Sequence, residues 1–94
     1  MNMPPDDQFM SDLAREFLVE YAKSLALLRP SVTKQDGKAL ADMAHRIKGT
    51  ARIFGFEQMA TVSEELERNL PLKDWKAIES LYEQLVGLFE KERP

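Results

Sequence analysis

Residues 38–55, KALADMAHRIKGTARIFG, decide the fold. Leu40, Met43, Ala44, Ile47, Ala51 and Phe54 all fall within roughly 60° of Ile47 when the chain is wound at about 100° per residue. A strand would need clean alternation of apolar and polar residues, which this stretch lacks. The spacing therefore predicts a helix from about Lys38 to Ile53, ended by Gly55, since glycine is common just past a helix C-terminus. Its apolar side needs other elements to cover it.

The neighbouring sequence supplies them as further helices. Residues 57–69 carry Met59, Val62 and Leu66 at helical spacing, followed by Leu70 and by Pro71, which stops the run. Asp74 is suited to cap a helix bearing Trp75, Ile78, Tyr82, Leu85 and Phe89, with Leu81 and Leu88 beside them and Gly87 inside. Towards the N-terminus, proline and acid at Pro4-Pro5-Asp6-Asp7 suit a helix start. Phe17, Tyr21, Leu25 and Leu28 continue that helix, widened by Leu13, Ala14 and Leu18. Pro30 breaks or kinks it, Ser31 is placed to cap a short continuation, and Gln35-Asp36-Gly37 reads as a turn. Four amphipathic helices with short connections predict an all-α, antiparallel four-helix bundle with a kinked or split N-terminal helix. The chain of 94 residues is expected to be a single domain, 1–94, with its core between about 8 and 92.

Composition narrows the function. A net charge of −3 offers no basic face, so no nucleic-acid partner is expected. With no cysteine, disulfides, thiolate chemistry and zinc knuckles are excluded. No apolar run approaches the roughly 20 residues that span a bilayer, and MNMPPDDQ lacks the basic and apolar parts of a signal peptide. A cytoplasmic location is expected, for the chain alone or as the cytoplasmic portion of a membrane sensor kinase. Ser11, Ser24, Ser31, Ser63 and Ser80 have no glycine-flanked elbow around them. One histidine without cysteine does not assemble the commoner metal sites. No metal, no cofactor and no independent enzyme activity are expected.

The one histidine, His45, lies about 160° from Ile47 on the same wheel, so it faces away from the core. A solvated surface histidine without a role is the plain alternative. Its helical neighbours are Lys48 at i+3 and Gly49 at i+4, with Arg52 at i+7 on the same face. Lys48 and Arg52 bring positive charge without a carboxylate next in line, which would compensate a phosphoryl group on the ring. They are also ordinary residues for a solvated face. Gly49 costs a mid-helix position about 1 kcal/mol against alanine; it either opens access to the ring or allows close helix packing. An ordinary imidazole is largely neutral near pH 7, so no lasting general-base partner is expected for His45.

Residues 44–67, AHRIKGTARIFGFEQMATVSEELE, resemble the histidine phosphotransfer (HPt) family of two-component phosphorelays. The shared pattern is His45, Ile47, Lys48-Gly49, the small pair Thr50-Ala51, then Gly55, Met59 and Leu66-Glu67. Thr50 is bulkier than the family's usual residue. Ser63 stands where alanine or cysteine is common, and Pro30 interrupts a helix that is often continuous. The resemblance implies that His45 accepts and donates a phosphoryl group through Nε2, that Lys48 helps to hold it, and that Gly49 gives a partner access. The partner implied is a receiver domain of a response regulator or hybrid histidine kinase, with Mg²⁺ and a phosphorylatable aspartate. The carrier is expected to be a monomer. Arg46, Arg52 and Phe56 are candidate docking residues, with Phe56 equally suited to closing the helix end against the core. Two other functions fit a small acidic bundle. One is a phosphate-independent interaction module. The other is a histidine-kinase dimerisation domain, although the residues after His45 lack that family's acidic residue and Thr-Pro.

Overall fold

The computed structural model describes residues 5–93. Five helical segments, α1 (Pro5–Leu27), α2 (Arg29–Thr33), α3 (Gly37–Ile53), α4 (Glu57–Asn69) and α5 (Trp75–Glu92), form a four-helix bundle in which α1 and α2 are the two arms of one bent helix. The chain belongs to the all-α class expected. The start foreseen at Pro4 lies outside the described residues.

The bend has a clear chemical cause. Pro30 has no N–H and stands in the first turn of α2, where that loss is tolerated. Just before the break, the carbonyl of Leu25 accepts from Leu28 N–H at 3.0 Å and from the buried Tyr82 hydroxyl of α5 at 2.5 Å. Arg29 then lies over the Tyr82 ring, 5.2 Å from its centroid, and forks onto Glu83 at 2.6 and 3.2 Å. The break is thus tied to α5 on both sides of the proline. Ser31 does not cap the continuation: Leu28 occupies the cap position and no side chain serves it.

Two aspartates cap the later helices. Asp36 accepts from Lys38 N–H at 3.3 Å, which starts α3 one residue earlier than the apolar pattern indicated. Asp74 accepts from Ala77 N–H at 3.2 Å, as its position predicts. Gly37 is closely packed: a Cβ there would lie 3.3 Å from a methyl of Leu70 and 3.7 Å from Trp75, so the Leu70 side chain would have to shift slightly. Gly55 has φ +79° and ends α3 in the left-handed region that glycine occupies at least cost.

The core runs the length of the bundle through Leu25, Leu40, Ile47, Met59, Leu66, Ile78, Tyr82 and Leu85. Near the start of α4 it closes with an aromatic cluster. Phe17 of α1 meets Phe54, Phe56 and Phe89 at centroid distances of 5.8, 6.1 and 5.6 Å. The most extensive helix–helix packing is that of α3 with α4. Small buried residues on both, Ala44 and Ala51 against Ala60 and Ser63, suit such packing. The α4 stripe is accordingly shifted from the one expected: Val62 is only half-buried, while Ala60 and Ser63 are buried. The Ser63 hydroxyl has no hydrogen-bond partner among the described residues, so its small size and not its polarity suits the seam.

Candidate functional site

The antiparallel seam between α3 and α4 places cations of one helix opposite carboxylates of the other. Lys48 Nζ lies 2.8 Å from Glu67 Oε1, and Arg52 reaches both oxygens of Glu64 at 3.2 and 3.3 Å. The spacing i, i+4 on α3 matches i, i−3 on α4, as neighbours on facing helices should. A third pair, Arg46 with Asp42 at 3.2 Å, lies along α3 itself.

His45 stands at this seam with its side chain 69% exposed, as its angle on the helix demands. Its Nδ1 is 2.9 Å from Glu67 Oε2. One carboxylate therefore serves two partners, the ring through one oxygen and the Lys48 ammonium through the other. Lys48 first, and His45 after it, hold the Glu67 carboxyl below the usual carboxylate range, against the opposing effect of its own partial burial. An ionised carboxylate can only accept a hydrogen bond, so the hydrogen-bonded neutral ring carries its proton on Nδ1. Nε2 is then left with its lone pair and no protein partner among the described residues.

Two expectations are corrected here. The cations around His45 are not free of carboxylates: Lys48, Arg52 and Arg46 are paired with Glu67, Glu64 and Asp42. Nor does His45 lack a lasting partner, because Glu67 holds Nδ1. The Asp42–Arg46 pair has a signature in the sequence, opposite charges at i and i+4. Glu67 was visible as part of the Leu66-Glu67 pair, but its distance from His45 depends on the antiparallel register.

The remaining residues fall into place around this centre. Gly49 is exposed, and a Cβ on it would meet nothing within 4 Å, so close helix packing does not account for it. Arg46 and Arg52 are exposed on α3. Phe56 is half-buried with its ring stacked on Phe17. It thus takes part in the aromatic packing and keeps part of its surface exposed. Among the described residues, no three His, Asp or Glu side chains gather as a metal site, and no helix is long and apolar enough to cross a membrane.

Helix order, bend and an exposed histidine followed by Lys-Gly define a histidine phosphotransfer bundle. The family model of the Hpt domain matches residues 12–91, and the chain belongs to that family, whose members carry phosphoryl groups in phosphorelays and interact with receiver domains. They are phosphoryl carriers and not kinases. Neither curated proteins nor solved structures give a match to this chain.

Proposed function

We propose that His45 is the residue that accepts and passes on the phosphoryl group, and that it does so through Nε2. The observation that carries this reading is the Nδ1–Glu67 hydrogen bond on an imidazole that is otherwise exposed. It leaves Nε2 as the nucleophile, directed away from its one protein partner.

Transfer from an aspartyl phosphate then balances simply. The Nε2 lone pair attacks phosphorus, and an N–P bond forms as the bond from phosphorus to the aspartate oxygen breaks. The aspartate leaves as a carboxylate with the electron pair. The ring becomes cationic, and its Nδ1 proton stays in the hydrogen bond to Glu67, whose negative charge stabilises it. In the reverse step Nε2 departs from phosphorus with the electron pair, and the same charge on the ring makes it a competent leaving group. Lys48 moves its ammonium from Glu67 towards the incoming phosphoryl oxygens. A Lys ammonium on a flexible stem is suited to that exchange.

The partner is a receiver domain whose own residues and Mg²⁺ supply the electrostatics of phosphoryl transfer, so this chain needs no cofactor. The role is the same for a free-standing monomer and for a domain of a hybrid sensor kinase, on the cytoplasmic side in either case. The test is to mix the protein with phosphorylated receiver domains and Mg²⁺. An acid-labile, alkali-stable label on wild type, absent from His45→Gln with the helical fold intact, is the expected result. An exposed substitution of this kind should change stability by no more than about 0.5 kcal/mol. Label that persists in His45→Gln would refute the assignment.

A further inference from the structure

The outer face of α3 carries an apolar side chain that neither the core nor phosphoryl chemistry uses. Ile53 is 70% exposed. His45, Gly49 and Ile53 stand at i, i+4 and i+8, which strings them along one ridge about 12 Å long that turns by roughly 80° around the helix. Between the ring and the isoleucine the ridge dips, because Gly49 has no side chain and open space where one would be.

Exposure alone is no argument, since single apolar residues on a surface are ordinary. Leu72 is 72% exposed in the turn between α4 and α5, at the opposite end of α3 from Ile53. Position distinguishes Ile53. So does the charge around the ridge: Arg46, Lys48 and Arg52 are matched by Asp42, Glu67 and Glu64. Six charges that cancel in pairs provide little net attraction for an acidic phosphoryl-transfer pocket. A partner that brings its aspartate to His45 has to draw affinity from apolar contact, and Ile53 is the large exposed apolar side chain aligned with the ring.

We infer that Ile53 is the apolar anchor for the receiver domain. It is buried against an apolar patch beside the partner's aspartate pocket, while bare Gly49 lets the partner's surface pass close to the helix. This rests on the phosphotransfer reading and adds a specificity-determining contact to it.

The test measures initial rates against receiver concentration, using the phosphorylated receiver that labels wild type fastest in a panel. Phosphoramidate serves as a small donor that needs no docking. Ile53→Ser is expected to raise KM for the receiver about tenfold or more, to leave the rate at saturation within about twofold, and to leave labelling by phosphoramidate unchanged. Ile53→Leu should restore KM, and Leu72→Ser should not alter it. An unchanged KM in Ile53→Ser, or an equal rise in Leu72→Ser, overturns the anchor and leaves the carrier reading standing. A wild type that takes label from neither donor overturns the carrier reading, and the anchor with it.

Discussion

Two polar clusters in this molecule use similar residues to opposite ends. At the bend, Arg29 forks onto both oxygens of Glu83 and lies over Tyr82, whose hydroxyl donates to the Leu25 carbonyl just before the break. Each strong donor and acceptor there has a partner within the chain, and the result is a fixed joint. At the seam of α3 and α4, Glu67 binds both His45 and Lys48, yet the second nitrogen of the ring is left to solvent. The difference is one of completeness. A closed cluster spends its hydrogen bonds on the fold, and the open one keeps a reactive lone pair while holding the ring in one orientation. Burial follows the same division: the Tyr82 side chain is fully buried and that of His45 is 69% exposed.

The sharpest way to test this contrast is to remove one hydrogen-bonding group from each cluster, the Glu67 carboxylate from the seam and the Tyr82 hydroxyl from the bend. Glu67→Ala removes the hydrogen bond that sets the ring's tautomer and the partner that parks Lys48. Hydrogen bonds to charged groups are worth about 1.5–3 kcal/mol, so transfer at saturating receiver should slow about 10- to 100-fold. Stability should change by no more than about 1 kcal/mol, because the pair is partly exposed. Tyr82→Phe should do the reverse, costing about 1 kcal/mol in denaturant unfolding through the lost buried hydrogen bond to the Leu25 carbonyl, with the transfer rate unchanged. If Glu67→Ala lowered stability and left transfer intact, the seam would be a second joint and the comparison would fail.

Gly49 gives a smaller effect of opposite sign on two readouts. Nothing in the fold needs its missing side chain, so Gly49→Ala should stabilise the protein by up to about 1 kcal/mol, measured by thermal or denaturant unfolding. The added methyl stands beside the ring, so the same variant should pass phosphoryl groups to a receiver more slowly. A stabilised variant with unimpaired transfer would show that the glycine does not serve access.

Most of the bundle could be read from periodicity because each helix solves the same local problem of one apolar side and defined ends. The range 57–69 for α4 coincides with the expected one, set by Gly55 before it and Pro71 after it. The start of α3 was displaced by one residue because Asp36, read only as a turn residue, also caps the helix. Ser31 failed as a cap because α2 already begins at Arg29, which places Ser31 inside the helix. His45 was legible as an outward residue from its angle alone. The partnership with Glu67 was not, because 22 residues separate the two in the chain and only the antiparallel register of α3 and α4 brings them together. Phe56 illustrates the same limit: the α3 angle carried past Gly55 put it near the polar face, whereas beyond that turn its ring stacks on Phe17.

The central claim is that Glu67 reserves Nε2 of His45 for phosphorus. The most direct measurement is ¹⁵N and ³¹P NMR of the phosphorylated protein with ¹⁵N-labelled imidazole, which identifies the nitrogen that carries the phosphoryl group. The account predicts coupling to phosphorus at Nε2 and a proton retained on Nδ1. A phosphoryl group on Nδ1 would contradict it, because that nitrogen could not then donate to Glu67.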